Sequence, residues 1–145
     1  MRRRVALSTV LLSALAGLAA ASAQQNPFVG GWQGVANVNG VAITFNLVMG
    51  ADYRYSEQQV MGPYVTMQTG RYGFPNQNVI AFQVEDWQPR TRSVYHPSGT
   101  TGGYYSQEPV ARPPGGVFRF QFASAQSFTL QDVNLGGVIT FNRLR

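Results

Sequence analysis

From Gly30 onward, apolar and polar side chains alternate in short runs that Gly, Pro and Asn interrupt. No helix-period apolar stretch of useful length follows Ala23, so the pattern predicts an all-β domain. The clearest element is a hairpin about Asn39-Gly40, the preferred pair for a two-residue type I′ turn, because both central positions need positive φ. Folding there pairs Val38 with Val41, Ala36 with Ile43, Gly34 with Phe45 and Trp32 with Leu47. All of these share one face, while Gln33, Asn37, Ala42, Thr44 and Asn46 share the other. A slip of one residue would expose Trp32, Ile43, Phe45 and Leu47, so turn chemistry and alternation fix the same register. Gly34 opposite Phe45 leaves room for the ring to cross the partner backbone.

Further strands are predicted over 53–61 (with Tyr53 and Tyr55 on one face), 64–72, 79–87 (Ile80, Phe82 and Val84 inward), 117–122 (Phe118, Phe120 and Phe122 on one face), 128–132 and 138–144. Gly50-Ala51-Asp52, Gly62-Pro63 and a loop at 75–78 separate the earlier ones. Residues 88–116 form a Pro/Gly/Tyr-rich insertion, a length without obvious structure that is often functional. Val94-Tyr95 and Gly103-Tyr104-Tyr105 inside it suit one further short hairpin. About eight strands joined by tight turns suit an antiparallel up-and-down closed barrel, with a β-sandwich as the alternative. No internal repeat is visible.

The first 23 residues carry a different pattern. Arg2-Arg3-Arg4 is a positive start, residues 5–20 are an apolar Leu/Ala-rich run, and Ala21-Ser22-Ala23 is a small-x-small cleavage site. That order is a secretory signal. The run is short for a membrane span. The expectation is a signal peptide at 1–23 and a single β-barrel domain at 24–145, in a periplasmic or secreted protein with no integral membrane span after cleavage. The general and the twin-arginine export routes both remain open.

Composition narrows the chemistry. The 145 residues contain no Cys, which excludes a disulfide, a thiol nucleophile and a Cys-ligated zinc. No Lys is present either, which excludes a Schiff base or a phosphate-loop lysine. The formal charge of +5 leans on Arg2–Arg4; the other Arg are scattered among six acids. The footprint of a nucleic-acid protein is therefore missing. An outer-membrane barrel is also disfavoured, by the Gln, Asn and Thr on the outward face of the first hairpin and by a chain ending in Arg145.

Gly30-Gly31-Trp32 at the first strand has a Gly-x-Trp form, and Phe141-Asn142-Arg143 lies near the last strand. This pairing resembles the lipocalins and other calycins. The resemblance implies a small barrel whose closure rests on Trp32 with Arg143 packed over the indole, Arg145 being a second candidate. Such a cation–π contact is worth about 0.5–2 kcal/mol. The insertion at 88–116 and the lack of a helical stretch depart from the commonest lipocalin pattern. The biotin-binding barrels, which also begin with Gly-x-Trp and lack that helix, are similar in outline.

Catalytic chemistry is sparse. Glu85 and Asp86 are neighbours, and neighbours on a strand face opposite ways. Glu85 then reads as a solvated residue. Asp86 shares parity with the inward Ile80, Phe82 and Val84, so it reads as a barrel-rim residue in a salt bridge, for example to Arg90 or Arg92, rather than as a catalytic group. His96 is the only histidine, a poor metal site without a second ligand. Ser93, Ser98 and Ser106 lack any nucleophile elbow. The expectation is a non-enzymatic protein with no catalytic residue, no metal and no cofactor. Its ligand would be a small, partly apolar molecule held by Ile43, Phe45, Phe82, Trp87, Tyr95, Tyr104 and Tyr105. The alternative is a protein-interaction module, a periplasmic inhibitor or envelope-complex subunit, that contacts an envelope protein through 88–116.

Overall fold

The computed structural model describes residues 25–145; the signal-peptide expectation for 1–23 lies outside them. Among the described residues ten strands form: β1 Gly30–Val38, β2 Val41–Met49, β3 Arg54–Met61, β4 Tyr64–Asn76, β5 Val79–Gln88, β6 Thr91–Ser98, β7 Gly102–Pro109, β8 Gly116–Ser124, β9 Ser127–Asp132 and β10 Val138–Arg143. Eight of them close an antiparallel barrel in the order β1-β10-β9-β8-β5-β4-β3-β2. β6 and β7 make a separate two-stranded ribbon inserted between the neighbouring staves β5 and β8. A sandwich would leave edge strands, whereas here β1 pairs on one side with β2 and on the other with β10.

The first hairpin has the predicted register throughout, from Val38 opposite Val41 to Trp32 opposite Leu47. Asn39 and Gly40 take φ of 51° and 81° at its tip, the positive pair that a type I′ turn requires. Gly34 is needed for a different reason from the one its partner Phe45 suggests. A Cβ there would fall 2.9 Å from the Ile139 methyl and 3.1 Å from the Phe141 ring. The ring over Gly34 comes from β10, where Phe141 is its register partner, and a strand's closing neighbour is invisible to hairpin reasoning.

Three boundaries differ from the sequence pattern. Tyr53 lies before β3 with φ of 61°, as the end of a turn in which its N–H donates to the Gly50 carbonyl at 3.2 Å. β4 runs on to Asn76, so the loop expected at 75–78 shrinks to Gln77 and Asn78 between paired Asn76 and Val79. A register shift on β5 puts Thr69 opposite Asp86 and Gly70 opposite Val84, leaving Glu85 as the extra residue. This bulge reverses the parity beyond it. Asp86 is therefore turned outward, where its carboxylate meets Arg90, and Trp87 takes the inward side opposite Gln68.

The core gathers Phe28, Trp32, Leu47, Met49, Tyr55, Tyr72, Ile80, Phe128, Leu130 and Phe141. Its densest part is one end of the barrel. There Phe28 sits with Phe120, Phe122 and Phe128 at ring separations of 4.8–4.9 Å, all edge to face, the arrangement that aromatic quadrupoles favour. The Trp32 indole is fully buried and stands edge-on to Phe128 at 4.6 Å.

Candidate functional site

The two ends of the barrel interior are chemically unlike. At the Trp32 end the indole N–H donates to the Phe28 carbonyl at 2.7 Å. The Arg143 guanidinium lies over the indole, 4.1 Å from the ring centroid. It also donates to the carbonyls of Val29, Pro27 and Ala125 at 2.8, 3.0 and 3.1 Å. Ring, cation and carbonyls close this end, and the polar groups of Trp32 and Arg143 have partners.

Towards the other end the interior holds a cavity of about 340 Å³. Its apolar wall comes from alternate residues of neighbouring staves: Phe45 and Leu47 on β2, Phe82 and Val84 on β5, Phe118 on β8, Leu130 on β9, and Ile139 and Phe141 on β10. Of the remaining staves, β3 and β4 supply Tyr55, Glu57, Gln59 and Gln68, and β1 supplies no lining residue. Register explains why polar side chains face inward here. Leu47 pairs with Glu57 and Phe45 with Gln59, so two inward apolar residues of β2 carry their β3 partners to the same face. Glu57 in turn lies opposite Gln68.

These groups form one cluster. Gln59 Nε2 and Gln68 Nε2 both donate to Glu57 Oε1, at 2.5 and 3.1 Å. Among the described residues no cation lies within ion-pair distance of Glu57; the ion pairs join Arg54 and Arg71 to Glu85, Arg90 to Asp86, and Arg92 and His96 to Glu108. Burial pushes the Glu57 carboxyl above its ordinary range, and the Gln59 hydrogen bond opposes that only in part. The neighbouring Tyr55 is 4% exposed, its ring edge-on to Phe82 at 4.9 Å. Its hydroxyl has no hydrogen-bond partner among the described residues. Burial raises its pKa well above the usual phenol range, and the negative charges of Glu57 and Glu85 add to the shift. A buried hydroxyl without a partner costs free energy that the closed end avoids.

The segment between β7 and β8 borders this cavity through Pro113, Pro114 and Gly115. Trp87 anchors the same segment. Its indole N–H donates to the Val110 carbonyl at 3.0 Å, and Arg90 covers its ring at 3.7 Å, with Arg112 further off at 5.5 Å. A smaller hollow of about 130 Å³ beside Trp87 shares Gln59, Gln68 and Pro113 with the main cavity.

The ligand residues expected from sequence fall into three places. Phe45 and Phe82 line the cavity. Ile43 is half-buried on the same side of β2 but outside the lining, and Trp87 lines the hollow next to it. Tyr95, Tyr104 and Tyr105 do not line the cavity: they lie on the β6–β7 ribbon with exposures of 49%, 61% and 71%. The reason is topological, because β6 pairs with β7 and neither strand packs on a barrel strand. On that ribbon His96 Nε2 lies 2.7 Å from Ser106 Oγ and 3.5 Å from Glu108. Serine and carboxylate thus converge on one ring nitrogen, whereas a triad places them on opposite ones. The groups that sequence reasoning passed over are Tyr55, Glu57, Gln59, Gln68 and the strap prolines. The available signal was the parity of Tyr55, Glu57 and Gln59, but Ser56 and Gln58 on the other face of β3 are equally polar.

No protein-family model matches this chain, and no curated protein matches it in sequence.

Proposed function

We propose that this protein is a non-enzymatic, exported, calycin-like barrel that binds a small, partly apolar molecule in its interior. The observation that carries the reading is the cavity of about 340 Å³, apolar on most of its wall and polar at Glu57, Gln59 and Gln68. Small-molecule sites have this composition and begin at about 300 Å³. Export is supported by the Arg-led apolar start and the small-x-small site at Ala21-Ser22-Ala23. The calycin likeness rests on the Gly-x-Trp strand joined to the Arg143 strand in a closed eight-stranded barrel.

The test is a titration with N-phenyl-1-naphthylamine, whose fluorescence rises in apolar surroundings. Saturable enhancement is expected from the wild type, and Val84→Trp, which fills the cavity from β5, should remove most of it. Enhancement that is absent, or untouched by Val84→Trp, would reject the interior site. A second reading, a docking arm for an envelope protein, draws on the three exposed tyrosines of the ribbon. Replacing residues 95–105 by Asn-Gly separates the two, since the dye should still bind to the shortened protein.

A further inference from the structure

We propose that the polar end of the cavity is a seat for a cationic amine, so that the ligand is a small molecule with an apolar body and a protonated nitrogen held by Glu57. This rests on the interior-binding reading above and adds the chemistry of the ligand's head.

Three observations lead there. Glu57 presents a carboxyl to the cavity with no cation near it among the described residues. Both glutamine amides converge on its Oε1, which leaves Oε2 as the oxygen for a ligand. Glu57 is half-buried, so it is partly drawn out of water yet still reachable from the cavity. A carboxylate removed from water is costly unless it is paired and hydrogen-bonded. An ammonium group brings a compensating charge and three donors, one of them for Glu57 Oε2. An alcohol would supply a hydrogen bond but no charge. A carboxylate would meet a like charge. The other titratable groups at the cavity are Tyr55, on the same strand as Glu57, and Asp132, which already accepts from the backbone N–H groups of Asn134 and Leu135 at 2.7 and 2.8 Å. β2, β4, β5, β8, β10 and the proline strap contribute no titratable side chain to the lining. The apolar body would lie against Phe45, Phe82, Phe118 and Leu130, and the volume suits a short chain or a small aromatic body.

Calorimetric titration of the purified protein with octylamine, 1-octanol and octanoate at matched chain length tests this. Octylamine should bind about tenfold more tightly than 1-octanol at neutral pH, the scale of one charge-assisted hydrogen bond. Glu57→Gln should bring the two within about twofold by weakening octylamine alone, since the neutral amide keeps the hydrogen bonding but not the charge. In the wild type the octylamine advantage should shrink as the pH is lowered and Glu57 takes up its proton. This arm decides the matter even if the variant folds poorly. Equal binding of octylamine and 1-octanol, tighter binding of octanoate, or an amine preference that survives Glu57→Gln would each overturn the amine seat. If all three fail to bind while N-phenyl-1-naphthylamine still enters, the seat is wrong and the interior site stands. If the dye fails as well, both fall.

Discussion

The barrel's two ends are built from the same alternating strands and reach opposite outcomes. Around Trp32 the indole N–H and the Arg143 guanidinium all find carbonyl partners, and the rings of Phe28, Phe122 and Phe128 fill the space between the staves. Around Glu57 a carboxyl lacks a cation, a tyrosine hydroxyl lacks a partner, and about 340 Å³ is left open. One end satisfies its polar groups and fills its space, and the other leaves both incomplete. Real proteins relax local consistency where they function, and here the relaxed groups lie together on β3 and β4.

The largest effect should come from breaking the closed end. Trp32→Ala removes a fully buried indole, the seat of the Arg143 cation and the neighbour of Phe128. Truncations of this kind cost about 3–5 kcal/mol. Urea unfolding should show that loss, with little change in the relative affinities of octylamine and 1-octanol at temperatures where the variant remains folded. A loss below about 1 kcal/mol would mean that this end is not where stability is concentrated.

The opposite sign is expected at the open end. Tyr55→Phe keeps the ring against Phe82 and removes the hydroxyl that has no partner. Relief of an unsatisfied buried group should stabilise the empty protein by about 1 kcal/mol, read as a raised urea midpoint at unchanged slope. A destabilised variant would show that the hydroxyl is satisfied in solution.

The closed end was readable from the sequence because two independent signals agreed there. Asn39-Gly40 set the turn, and the alternation of Trp32, Gly34, Phe45 and Leu47 set the register. The open end was not. Alternation identifies an interior face only where the two faces differ in polarity, and on β3 both Glu57 and Gln58 are polar. Glu57 and Gln59 face inward because they pair with Leu47 and Phe45, a contact between strands rather than a property of β3. The position of Asp86 was hidden for a related reason, since the extra residue Glu85 reverses parity without any glycine or proline beside it to announce the bulge. The ribbon tyrosines looked like pocket residues because aromatic content says nothing about which edge a hairpin joins, and β6–β7 joins none.

The smallest expected effect is a pH dependence confined to the open end. Burial holds the Glu57 pKa above its ordinary 4.5. Below that value the carboxyl is protonated in both the folded and the unfolded chain, and no penalty applies. As the pH rises from there to the raised pKa, the unfolded chain releases its proton while the folded chain keeps it. The folded state then binds more protons, so stability falls with rising pH across this window and levels off above it. Asp86 has the opposite sign, its pKa lowered by Arg90 and the Trp87 N–H. Its contribution is lost only as the pH falls through the region below 3.8, outside the window. Urea midpoints measured between pH 4 and pH 8 should therefore decline for the wild type and stay flat for Glu57→Gln. Saturating octylamine should reverse the wild-type decline, because the bound cation favours the ionised carboxylate that burial opposes. A decline that persists in Glu57→Gln would move the titrating group away from the cavity, and with it the chemical distinction between the two ends.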